Sequence, residues 1–149
     1  MMSKETVISA NIAAEKNINL FSVIKLLVKI GWGFWDQNGN VTYLPLNDDG
    51  MFDWQSAFMN EENIYDILRQ KEQMNEILGV ILYWKKSETG IIFLAEDLEN
   101  IQFIAEINRR EIVSKDMTKE TDKNWYLERI IVPLTEMGLN IRNYDFKEY

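Results

Sequence analysis

The spacing of hydrophobic and polar positions changes character several times along the chain. Over Leu20–Ile30 the polar residues Ser22, Lys25 and Lys29 recur at intervals of three and four on an otherwise apolar background. That period predicts a helix with one narrow solvated stripe, stopped by Gly31. Residues 1–19 before it read as a loosely ordered lead-in, with a short strand around Val7 and Ile8. After the helix, Gly33–Trp35 and Val41–Leu44 can pair as a hairpin, because Asn38-Gly39 between them suits the positive φ angles of a tight turn. Pro45 removes a backbone donor and ends the second strand. Asn47-Asp48-Asp49-Gly50 then forms a solvent-facing loop, from which Phe52 and Trp54 turn back towards apolar partners.

Asn60 has the position of an N-cap, and Glu61 and Glu62 lie in the first turn, where the helix dipole favours negative charge. That helix is expected to reach about Asn75 and to bury Ile64, Ile67, Leu68 and Met74. Ile77 to Trp84 is a nearly unbroken apolar run and reads as a central strand covered on both faces. A turn at Lys86–Gly90 returns the chain through Ile91–Ala95, and after an acidic loop at Glu96–Asn100 the alternating run Ile101–Ile107 completes a meander. Ser114 to Glu120 is polar and loop-like. Thr121 or Asp122 caps a last helix carrying Leu127, Ile130, Ile131 and Leu134, which Pro133 kinks because it cannot donate to the Arg129 carbonyl. Gly138 closes this segment, and Leu139–Phe146 is a final strand. The sum is a single α+β domain over residues 1–149: a predominantly antiparallel sheet of about five or six strands packed with about three helices.

Composition narrows the chemistry. The chain has no cysteine and no histidine, which excludes disulfides, thiol nucleophiles, zinc fingers, Ser–His–Asp catalysis and a histidine pH switch. An enzyme would have to use carboxylates, and Asp48, Asp49 and Asp53 or a glycosidase-like pair of acids come without a distinctive motif. Asp36-Gln37-Asn38-Gly39-Asn40 resembles the start of a calcium loop, but the twelfth residue from Asp36 is Asn47 instead of the closing Glu. No glycine-rich phosphate loop is present. We therefore expect no catalytic residues, no metal and no cofactor. The N-terminus has no apolar core of a signal peptide, and Ile18–Ile30 is too short to span a bilayer, so a cytoplasmic protein without a membrane partner is expected.

The net charge is −8, which disfavours nucleic acid as a ligand and favours a basic protein partner. Seven acids and no lysine or arginine fall between Lys29 and Arg69, and five more acids without a base between Lys86 and Arg109. Folded side by side, these segments would make a concentrated negative surface that steers a basic protein. Aromatic residues are interleaved with the acids, and Trp54, between Asp53 and Gln55-Ser56, is the best candidate for partial exposure. The candidate contact residues are Asp48, Asp49, Asp53, Trp54, Glu61, Glu62, Asp97 and Glu99.

The segments WGFWDQNGNVTYLPLNDDGMFDW, KEQMNEILGVILYW and TDKNWYLERIIVPL resemble, in general style over most of residues 20–149, the immunity proteins of bacterial polymorphic-toxin and contact-dependent growth-inhibition systems. The resemblance implies binding to a cognate toxin domain, often a basic nuclease, and blocking it; it assigns no site residue. The alternative is a small ligand-binding or regulatory domain with a pocket lined by the aromatic hairpin.

Overall fold

The computed structural model describes residues 5–149. In chain order the elements are β1 (Thr6–Ile12), α1 (Leu20–Ile30), β2 (Trp32–Gly33), β3 (Asn40–Tyr43), β4 (Gln55–Phe58), α2 (Glu61–Gln73), β5 (Leu78–Trp84), β6 (Gly90–Asp97), β7 (Asn100–Ile107), β8 (Glu111–Val113), β9 (Lys119–Thr121), α3 (Lys123–Arg129), α4 (Ile131–Glu136) and β10 (Ile141–Glu148). Eight strands form one antiparallel sheet in the order β10-β1-β7-β6-β5-β3-β4, with β2 also pairing to β5, while β8 and β9 form a separate hairpin. The fold is the expected α+β class, with slightly more strands than the sequence suggests. No helix among the described residues is long and apolar enough to cross a membrane.

All four helical segments contribute to one core on one face of the sheet. Ile8, Val80, Phe93 and Phe103 from the strands meet Val23, Ile24 and Leu27 of α1, Ile64 and Leu68 of α2, and Tyr126 and Leu134 of α3 and α4. The opposite face carries a row of aliphatic side chains paired across neighbouring strands, Val7 to Ile104, Ile104 to Ile92 and Ile92 to Ile81. Ile81 and Tyr83 are half-buried. The expectation that β5 is covered on both faces therefore holds only at its start, where Leu44 and Trp54 lie over Gly79. A Cβ on Gly79 would stand 2.6 Å from Leu44 and 2.9 Å from Trp54, so glycine is what permits this close approach.

Local signals account for several boundaries. Asn19 caps α1 reciprocally with Ser22, and Gly31, at φ 142°, ends it. The Asn60 side chain accepts from the Asn63 amide at 2.9 Å to start α2. Asp122, not Thr121, caps α3, accepting from the Trp125 amide at 3.2 Å; Thr121 instead bonds Thr6 at 2.6 Å.

Other expectations are corrected. The part of the lead-in at Thr6–Ile12 is a buried strand between β10 and β7; residues 1–4 lie outside the described residues. The hairpin after α1 is reduced to a single bridge, Trp35 to Val41, because Trp32 and Gly33 pair with Trp84 and Tyr83 of β5 instead. β3 finds its partner in Gln55–Phe58, a segment with no apolar alternation because it is an exposed edge. The stretch Ser114–Glu120 is part of the β8–β9 hairpin. Met74 is exposed, since α2 ends at Gln73 and Asn75 turns left-handed at φ 58°. The last helix breaks at Ile130 (φ −122°, ψ −70°), and Pro133 sits in the first turn of α4, where its missing N–H costs no hydrogen bond. The Arg129 carbonyl accepts instead from the indole N–H of Trp32 at 2.9 Å.

Candidate partner-binding surface

The loop from Leu44 to Trp54 is held by its own backbone polar groups. Asn47, Asp49, Gly50 and Phe52 all have positive φ, so the chain reverses tightly several times. The carboxylate of Asp48 organises these reversals, accepting from the amides of Phe52 at 2.9 Å and Asp53 at 3.0 Å. Asp48 is consequently buried, and its place is inside the loop instead of at a contact surface. A second anchor comes from α2. The fully buried Lys71 donates to the Pro45 carbonyl at 2.7 Å and pairs with Glu76 at 3.2 Å, while Glu76 also accepts from the Asn47 amide at 2.9 Å. A lysine placed there is tolerated because its charge has both a carboxylate and a carbonyl.

This anchoring turns other side chains outward. Asp49 and Asp53 are exposed, Met51 is 77% exposed and Phe52 45%, while Trp54 is half-buried against Gly79. Phe52 shares a shallow hollow of about 300 Å³ with Ile77, Leu94, Glu96, Glu99 and Gln102. The β6–β7 turn that supplies Glu99 is closed by Asp97, whose carboxylate accepts from the Glu99 amide and the Asn100 side chain, both at 2.9 Å. Glu99 makes an exposed, long ion pair with Arg142 at 3.5 Å. Glu96 and Asp97 also line a second hollow with Glu72 and Glu76. Glu72 is already engaged, capping α1 through the amides of Leu20 at 2.7 Å and Phe21 at 3.0 Å.

Parts of the two acidic segments thus meet at one end of the central meander, while Asp36 and Glu88 lie together at the other. Asp49, Asp53 and Trp54 lie on the loop beside the turn bearing Asp97 and Glu99. Glu61 and Glu62 do not join them: they start α2, about 15 Å along the helix axis from Lys71. Their neighbours are Trp35, whose indole donates to the Met59 carbonyl at 2.9 Å, and Tyr65, whose hydroxyl pKa is raised by burial and further by Glu61. Glu96 joins this surface as well: at the end of the alternating strand β6 it points away from the core like Leu94, a placement its sequence alternation signals.

Positive charge collects at the other end of the same strands, on Lys85, Lys86, Arg109 and Arg110. There Trp32, Trp84 and Trp125 pack edge to face, with ring centroids 5.2 to 6.2 Å apart. The Arg129 guanidinium lies 4.4 Å from the Trp125 ring centroid and 5.5 Å from that of Trp84. Acids lie at that end too: Asp36 and Glu88 border the same hollow as Tyr83 and Asn108, and Glu111 pairs with Arg109 at 2.7 Å. Among the described residues no group of three or more acids is arranged to hold a metal ion. No protein-family model, curated protein or solved structure matches the chain.

Proposed function

We propose that this chain is an immunity-type inhibitor, which binds a basic toxin domain of the nuclease class through its acidic end. The observation that carries the reading is the convergence of the Asp49–Asp53 loop with the Glu96–Glu99 turn beside exposed Phe52, with Met51 exposed on the same loop. Exposed apolar side chains ringed by carboxylates offer a partner both a desolvated anchor and long-range attraction. A nuclease cleft, built to receive phosphates, carries the complementary charge. The small-ligand reading rests on the hollow beside Phe52. Its volume of about 300 Å³ is at the lower limit for a ligand pocket, and Phe52 is the one aromatic residue lining it. It is better sized for one side chain of a partner.

The test is neutralisation. The basic protein recovered with the tagged chain from its native cells is expected to be toxic alone and harmless when co-expressed with it. Asp49→Lys with Asp53→Lys should slow association about tenfold at low salt, with the deficit shrinking at high salt. Asp48 is left intact because it holds the loop. An unchanged association rate would remove the acidic end from the interface.

A further inference from the structure

The two edges of the sheet are built differently. β10, at one edge, carries Arg142 and Lys147, and its pairing with β1 slips by one residue at Arg142. Charged side chains and bulges are devices that keep an edge from pairing with another chain. β4, at the other edge, has the sequence Gln-Ser-Ala-Phe, with no lysine, arginine, proline or bulge. Its shortness is its one guard. Phe58 in this strand is 83% exposed, and Gln55 and Ser56 are exposed as well. Among the described residues no element pairs with β4 other than β3.

We infer that β4 is an acceptor strand, to which a basic partner adds an extended segment of its own as a new antiparallel edge. The occupant is identified by charge. Asp53 precedes the strand, Glu61 and Glu62 follow it, and no lysine or arginine occurs between Lys29 and Arg69. A segment alternating lysine or arginine with β-branched residues would place cations near both ends of β4 and an apolar side chain against Phe58. A second copy of this chain is disfavoured, since antiparallel pairing of two β4 strands would bring Asp53 of one against Glu61 and Glu62 of the other. Four residues limit the new ladder to about three hydrogen bonds, so the affinity of strand addition depends on Phe58 and the carboxylates. This inference rests on the inhibitor reading for its biological partner, though the strand can be tested without that partner.

The experiment measures amide hydrogen exchange on the whole chain with a synthetic peptide alternating lysine and valine, and with a matched glutamate–valine peptide. At a lysine–valine concentration about ten times its Kd, exchange of β4 amides should slow about tenfold, while β10 is unaffected. The glutamate–valine peptide should give no protection. Ser56→Pro should abolish the effect, and Phe58→Lys, a milder change to an exposed position, should weaken it while leaving the rest of the exchange pattern intact. Absence of protection at β4, equal protection at β10, or equal protection by both peptides would overturn strand addition. Peptide protection at β4 with no toxic partner recovered would keep strand addition and remove the toxin reading. Recovery of that partner with β4 unprotected in the complex would do the reverse.

Discussion

The tryptophan end and the acidic end of the meander are both rich in aromatic residues, but their aromatics are held in opposite ways. At the tryptophan end Trp32 is fully buried, its indole N–H is bonded to the Arg129 carbonyl, and its ring packs against Trp84 and Trp125. Arg129 is fastened there too, donating to the Trp125 carbonyl at 3.1 Å. At the acidic end Phe52 and Met51 are exposed, and the carboxylates beside them either brace backbone amides, as Asp48 and Asp97 do, or point to solvent, as Asp49 and Asp53 do. Aromatic content is thus not evidence of a contact site. What separates packing from contact is whether the ring itself is enclosed by the chain, as Trp32 is and Phe52 is not.

Removing the most embedded ring should produce the largest effect. Trp32→Ala would open a cavity among Trp84, Trp125 and α3 and leave the Arg129 carbonyl without its donor, a loss of about 4 kcal/mol in urea-denaturation stability. Phe52→Ala, at the other end, should change stability by less than about 0.5 kcal/mol and act on partner binding instead. Equal losses from the two substitutions would erase the distinction.

Lys71 tests how the acidic end is held. Lys71→Met removes the charge facing Glu76 and the donor to the Pro45 carbonyl, and should cost about 3 kcal/mol. Its effect on hydrogen exchange should be regional, with loosening over residues 45–53 and little change around Trp32. The double change Lys71→Met with Glu76→Gln should recover part of the loss, because it removes the carboxylate left without its cation. A uniform loss of protection would show that the loop anchor and the tryptophan core unfold as one unit.

The same contrast explains which parts could be read from the sequence. α1, the cap at Asn60 and the β5–β6–β7 meander were legible because their periods are sustained and their stop signals are local. The interior position of β1 was not, since its partners Ile101–Ala105 and Ile141–Glu148 are far along the chain. β4 escaped for the opposite reason, as an edge strand exposed on both sides carries no alternation. Of the candidate surface, the two base-free acidic runs are legible in the sequence, but which of their acids come together depends on strand pairing. The roles of Asp48 and Asp49 are not legible, because backbone geometry alone turns one inward and its neighbour outward.

A smaller effect than those of Trp32 and Lys71 concerns Tyr126, which packs on Trp125 with ring centroids 4.9 Å apart and accepts from the Arg110 amide at 3.0 Å. Burial raises its hydroxyl pKa above the ordinary 10.0, outweighing the opposing bond from Arg110 and the nearby arginine charges. Tyr65 and Tyr83 are shifted in the same direction, chiefly by burial, with Glu61 and Asp36 adding to it. A raised folded pKa means the native state retains a proton that the unfolded chain releases. The stabilisation is therefore complete below pH 10.0 and is lost as pH rises through the folded values. Tyr126→Phe should cost about 1 kcal/mol at neutral pH through the lost hydrogen bond, yet its stability should fall less steeply above pH 10.0 than that of the parent chain. Parallel alkaline slopes for the two proteins would mean that Tyr126 ionises as readily folded as unfolded. The tryptophan end would then be open to water at its Tyr126 side, and its contrast in enclosure with the acidic end would be lost there.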